Sequence, residues 1–361
     1  MSGFGTPSVQ TLRLEQIQLD KFNELLAAVW ERNPFYTHKW CQAGVAIHQA
    51  WSLENLKEFP LTTRSELLAD QAATPPLGSN LTSPYSALKR IHRSSGSTRA
   101  PLFWGDTSQS WNWVMRCSQA LYRMAGIDSG DRLFFALPFG ASSGPWIMYE
   151  GASSLGCCCV SGGSADLTEQ LFYLRNFQPT VVVGRPLHLR SLAVALQAQG
   201  MNPEYLGVEK LIFTGESASP NLRLELEFLW DVECFDRYGL TEAGPVAGEC
   251  PAHPFGMHLL ETEYIAEVID PETTQPISDG EEGELVLTTL GRWSQPIIRY
   301  RTGDRVRLVR SLHCACGRPE TLLLGGVSRH VTEIAPQTSC PIPRLITASS
   351  INKTAGTRVI P

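Results

Sequence analysis

The residues best suited to chemistry gather first at Arg93–Trp104, which reads Arg-Ser-Ser-Gly-Ser-Thr-Arg-Ala-Pro-Leu-Phe-Trp. Ser94, Ser95, Ser97 and Thr98 crowd around Gly96. Such a loop turns sharply, aims backbone N–H groups inward and adds hydroxyl donors, as a nucleotide phosphate requires. The same composition also serves a solvent-exposed turn. No Gly-Lys-Ser/Thr ends the stretch, so it is not the common P-loop. Three further segments follow apolar runs that read as strands: Thr214-Gly215-Glu216-Ser217, Arg237-Tyr238-Gly239-Leu240-Thr241-Glu242 and Tyr300-Arg301-Thr302-Gly303-Asp304. Each alone is an ordinary turn or cap. Cys250, His258, Cys314 and Cys316 form a soft set of three thiols and an imidazole, suited to tetrahedral Zn²⁺. His253 could replace His258, and unrelated buried cysteines are the alternative.

Regular elements must position these groups. Apolar periodicity predicts a helix over 15–32, closed by Asn33-Pro34, and a short one over 36–44. Thr63 with Glu66 three residues on is a capping box, so another helix starts there. The composition of 74–86 marks a loop. Strand, loop and helix then alternate. Strands are expected at 87–92, 131–137, 157–160 (buried), 180–183, 209–213 and 232–235. Helices are expected from a cap at Asp106 to about Ala125, and at 145–155, 167–176, 186–199 and 220–229. That alternation means βαβ units and a parallel sheet, with ligands at the carboxyl ends of its strands. From about Met257 the pattern becomes strands without helices, at 264–269, 284–289, 297–300 and 306–309. The fold class is therefore α/β: parallel sheets flanked by helices over residues 1–256, a smaller β-rich subdomain over 257–332, and a loosely ordered tail over 333–361.

The chain has 361 residues, ten cysteines and a formal net charge of -6. That length suits one large or two ordinary domains. No basic field exists for nucleic acid or anionic lipid. Cys157–Cys159 are consecutive, which does not look like a disulfide framework and points to the cytoplasm. Neither a signal peptide nor a membrane span is read in the sequence.

Taken together, the segments resemble one family in order and content. They are joined by Phe59–Leu68, Val160–Ser164, Pro296–Asp304 and Cys314–Arg318. The chain resembles the acyl-adenylate-forming superfamily over about residues 15–332, most closely phenylacetate–CoA ligases. The resemblance implies ATP, Mg²⁺ and a carboxylic acid as ligands, and it places the two Cys/His pairs near each other. Ser94–Thr98 would wrap the triphosphate. Gly215, Glu216, Ser217, Tyr238 and Gly239 would line the adenine, and Arg318 would belong to the nucleotide site. Thr241 would sit by the α-phosphate, Glu242 would hold Mg²⁺, and Asp304 would accept from both ribose hydroxyls. Phe139, Gly140, Trp146, Tyr149 and Phe213 would line a pocket for a flat aromatic acid, although all could be core residues. Catalysis would rest on positioning and charge stabilisation.

The sequence also departs from the family. Arg99 stands where Gly is usual, and Ser328-Arg329-His330 replaces the usual hinge. Only residues 331–361 follow, and their sole lysine, Lys353, lacks the motif of the family's catalytic lysine. The mobile C-terminal domain is expected to be absent, and with it the thioester-forming step. Such a tail is similar to stand-alone members of antibiotic pathways. It implies activation of an aromatic, for example phenazine, acid for a downstream reductase or acyl acceptor protein. The alternatives are a non-catalytic acid- or nucleotide-binding protein, and a CoA ligase completed by another chain. Family members often form homodimers.

Overall fold

The computed structural model describes residues 9–46, 48–94, 100–310, 312 and 314–329. Ser95, Gly96, Ser97, Thr98 and Arg99 lie outside the described residues, as do His330, Lys353 and the tail.

In chain order the helices are α1 (Val9–Arg32), α2 (Pro34–Gln42), α3 (Arg64–Ala73), α4 (Ser108–Met124), α5 (Ser143–Leu155), α6 (Leu167–Phe177), α7 (Pro186–Ala198) and α8 (Pro220–Trp230). The strands are β1 (Leu88–Arg93), β2 (Phe103–Thr107), β3 (Arg132–Ala136), β4 (Cys158–Ser161), β5 (Val181–Gly184), β6 (Lys210–Phe213), β7 (Glu233–Phe235), β8 (Arg237–Leu240), β9 (Gly244–Glu249), β10 (Gly256–Leu259), β11 (Tyr264–Ile269), β12 (Glu282–Thr289), β13 (Tyr300–Val309) and β14 (Leu322–Arg329).

Strands β3 to β7 form a parallel sheet in the order β4-β3-β5-β6-β7. Alternation along each strand divides its side chains between two faces. Phe135, Val181, Val183 and Ile212 meet Met148 and Ala152 of α5. Phe134, Val182, Leu211 and Phe213 meet α6, α7 and α8. Strand β4 lies at the sheet edge with Cys158 exposed, not buried as its apolar sequence suggested.

A seven-stranded antiparallel sheet runs β11-β12-β13-β14-β10-β9-β8. It draws β8 and β9 from before Met257, so the change of texture begins at Arg237. Helix α4 is amphipathic, with Asn112, Arg116 and Arg123 exposed, and its wide buried face packs in two directions. Trp113, Val114, Cys117 and Leu121 join the core of the antiparallel sheet, while Tyr122 joins the parallel sheet's α5 face.

Two expectations change and one holds. Asp106 does not cap α4; it lies in β2, and Thr107 is the N-cap, its hydroxyl accepting from the Ser110 N–H at 3.2 Å. The expected strand at 297–300 does not form: β13 begins only at Tyr300 and runs on through 306–309, so Tyr300–Asp304 lies within a strand rather than after one. The capping box holds: the Thr63 hydroxyl accepts from the Glu66 N–H, and Glu66 accepts from the Thr63 N–H at 2.7 Å.

Candidate functional site

The site is built on a tight hairpin. Strands β8 and β9 join through Thr241, Glu242 and Ala243. A Cβ on Gly239 would lie 2.6 Å from the Gly244 carbonyl oxygen, so only glycine lets the two strands approach this closely. The turn carries Glu242 into a pocket where it is 4% exposed.

Two donors meet the Glu242 carboxylate at the same oxygen. Arg64 Nη1 donates to Oε1 at 2.8 Å and the Tyr300 hydroxyl donates to it at 3.3 Å. Burial and then Glu242 push the Tyr300 phenol well up, so it stays a donor. Oε2 has no partner among the described residues. Arg64 is the first residue of α3, fixed by the capping box, and its Nη2 reaches Ser94 Oγ at 3.2 Å and the Ala100 carbonyl at 2.9 Å. One guanidinium thus bridges Glu242 to both ends of the Ser-rich loop. Sequence reasoning missed this role. The available signal was a lone cation at the start of a capped helix in Phe59–Leu68.

Ser94 is itself buried; its hydroxyl accepts from the Leu102 N–H at 2.9 Å. Asp304, 2% exposed, accepts from the Tyr238 hydroxyl at 2.8 Å. Ser217 and Asp236, the residue before β8, line the same small cavity. Burial, opposed by Ser217 and reinforced by Glu249, pushes the Asp236 carboxyl up to about 7. Thr241 Oγ1 lies 3.2 Å from Ser143 Oγ at the start of α5. Gly215 takes a positive φ of 84°, and Glu216 is exposed beside it.

The expected acid pocket separates into two groups. Phe139 makes edge contacts with Trp146 and Tyr149 at centroid distances of 5.0 and 5.6 Å. Trp146 Nε1 donates to the Gly140 carbonyl at 2.8 Å. Phe213 does not join them. It sits 1% exposed on the opposite face of the parallel sheet, because it alternates with Ile212. Arg318 is likewise not with the nucleotide residues. It lies in the cysteine-bearing loop past Val309, where burial first and then its charge depress His258, whereas the Asp304 backbone stands opposite position 329 at the other end of β13–β14.

The Cys/His set does come together. Ligand atoms of Cys250, His258, Cys314 and Cys316 all lie within 4.8 Å of one another. The Cys250 and Cys314 sulfurs are 3.6 Å apart, and Cys316 Sγ is 3.4 Å from His258 Nε2. Tetrahedral bonds of zinc length place such atoms roughly 3.3–3.8 Å apart. His253 is excluded from the set and rests against the Pro254 carbonyl. Burial, and then the adjacent Cys314 sulfur, push the Cys250 thiol up to about 12.

A parallel sheet with a Gly-rich rim, joined to an antiparallel sheet carrying two buried carboxylates, defines an AMP-binding fold. The family model described as AMP-binding enzyme matches residues 108–291. A phenylacetate–coenzyme A ligase of Pseudomonas putida is 31% identical over 343 residues, 92% of this chain and 76% of that protein. One from Escherichia coli K12 is 31% identical over 86% of this chain and 72% of its own length. Among solved structures, 2-hydroxyisobutyryl-CoA ligase with 2-HIB-AMP and CoA superimposes with a TM-score of 0.83 at 25% identity, covering 90% of this chain and 72% of that one. The chain belongs to the AMP-binding enzyme family, in its phenylacetate–CoA ligase branch.

Proposed function

We propose that this protein uses ATP to adenylate an aromatic carboxylic acid. The observation that carries the reading is the Arg64 bridge. It joins the Glu242 carboxylate to Ser94 and Ala100, the two ends of the Ser-rich loop. That arrangement gathers donors and one open carboxylate oxygen around the place where a triphosphate would lie, which suits charge stabilisation during pyrophosphate departure. Glu242 fits Mg²⁺, which binds through one or two carboxylates plus substrate phosphates. Bound there, the ion would offset phosphate charge. Asp304, already accepting from Tyr238, would take the ribose hydroxyls, and Ser94–Thr98 the phosphates. Gly215–Ser217 with Tyr238 and Gly239 would border the adenine. Phe139, Trp146 and Tyr149 supply aromatic walls for the acid.

We further propose a structural Zn²⁺ at Cys250, His258, Cys314 and Cys316, remote from the reaction. A phenazine acid, a downstream reductase or acyl acceptor, a homodimer and a cytoplasmic location remain proposals of the same reading. Among the described residues no helix is long and apolar enough to cross a membrane. Acid-dependent exchange of labelled pyrophosphate into ATP tests the adenylation. Exchange with aryl or phenazine carboxylates supports it; ATP and acid binding without exchange would instead make the protein a binder.

A further inference from the structure

Arg292 and Asp106 are both 0% exposed, a full ion pair sealed from water. Arg292 Nε meets Asp106 Oδ1 at 2.8 Å and Nη2 meets Oδ2 at 2.6 Å, a two-pronged fork. The remaining nitrogen, Nη1, donates to the Thr241 carbonyl. Asp106 stands on β2 opposite Arg90 of β1, within the hairpin that carries both ends of the Ser-rich loop. Arg292 stands on the segment between β12 and β13, which leads to Tyr300 and Asp304. That segment is bonded to the same hairpin: Ser294 Oγ donates to the Gly105 carbonyl at 2.8 Å, and the Gly105 N–H donates to Gln295 at 2.7 Å.

From these contacts we propose that Asp106 and Arg292 are positioning residues, which hold the Thr241–Glu242 turn in register with the phosphate-loop hairpin. Its catalytic consequence rests on the adenylation reading; its geometry does not. A buried ion pair is a poor source of stability, because apolar residues of similar volume often serve as well or better. Orientation is what it provides. The guanidinium is planar, so three of its nitrogens fix Asp106 and Thr241 in one plane, which a lysine cannot do. Because the peptide is planar and trans, fixing the Thr241 carbonyl also fixes the Glu242 N–H and the Glu242 Cα from which its side chain departs. The Ser143 hydroxyl restrains Thr241 from a second side.

The test compares wild type with Asp106→Leu/Arg292→Met, Asp106→Asn and Arg292→Lys. It follows thermal midpoint, pyrophosphate exchange and amide hydrogen exchange. The apolar pair is expected to melt near wild type but to lose protection at residues 241–243. Its exchange rate at saturating ATP and acid should fall at least about tenfold, with the KM for acid little changed, since misplacement weakens the chemical step. Arg292→Lys should fall in between. A stable apolar pair with wild-type exchange and wild-type protection at 241–243 overturns the proposal. If wild type itself shows no acid-dependent exchange, the adenylation reading fails, and amide protection alone decides the positioning role. If the apolar pair does not fold, Asp106→Asn, which keeps the shape and removes the charge, carries the same readouts.

Discussion

At the residue scale, Glu242 is the group on which the site turns. Its Oε1 is held by Arg64 and Tyr300, and Oε2 has no partner among the described residues. Glu242→Gln keeps an acceptor for both donors, so its thermal midpoint should stay close to wild type. Its pyrophosphate exchange should fall about 10²-fold or more, the scale seen when one preorganised charge-stabilising group is removed. A near-wild-type rate would show that Glu242 is only structural. Asp236 yields a pH prediction. Its carboxyl titrates near 7 in the fold against 3.8 as the reference, because burial disfavours the anion. The folded state then binds more protons than the unfolded one between those values, so stability drains away as pH rises from about 4 through about 7. Asp236→Asn removes that loss. The variant should gain on the order of a few kcal/mol over wild type at pH 8, and the gain should vanish near pH 4. Denaturant midpoints at the two pH values measure the difference; an equal gain at both would sink the assignment.

At the element scale, short structural devices aim the chemistry. Helix α3 begins where the Thr63–Glu66 box holds it, and Arg64 is its first residue. Thr63→Ala should cost about 1 kcal/mol of stability, the usual worth of an N-cap. Exchange activity should fall further than that loss explains, because the Arg64 bridge loosens. If activity merely tracks the folded fraction, α3 is scaffold alone. Sequence periodicity found every helix of the α/β region and most of its strands, because amphipathic helices and apolar runs bounded by turns carry their own signal. It missed β2 because Phe103–Thr107 is short and ends in Gly-Asp-Thr, which reads as a turn and cap. Asp106 could be recognised as a buried ion-pair partner only once Arg292, far along the chain, lay beside it. Strand β4 looked buried from its cysteines and valine, but edge position is a property of sheet order, not of composition.

At the scale of the whole molecule, the antiparallel sheet joins distant pieces of chain. Strands β9 and β10 and the loop after β13 meet at the four Cys/His ligand atoms. Purified protein should carry about one zinc per chain, and strong chelation should lower its melting temperature, because a metal bound only by the folded state stabilises it. Elemental analysis and melting with and without chelator check this. Metal-free protein with an unchanged melting temperature would leave the cluster as buried thiols. The same sheet puts Asp304 on β13 within 2.8 Å of the hydroxyl of Tyr238 on β8, although three other strands lie between them in its order. The side chains meet across strands that are not neighbours, a juxtaposition that no spacing along the chain encodes.

The amino-acid sequence by itself determined the alternation of helices and strands, the capped start of α3 and the order of motifs marking the family, since these depend on local propensity and period. Tertiary structure alone decided that Phe213 turns away from Phe139, that Arg318 sits with the cysteines and that Arg64 and Arg292 clasp the site. Those facts depend on which face a strand buries and which distant segment packs beside it, and only closure of the two sheets fixes either.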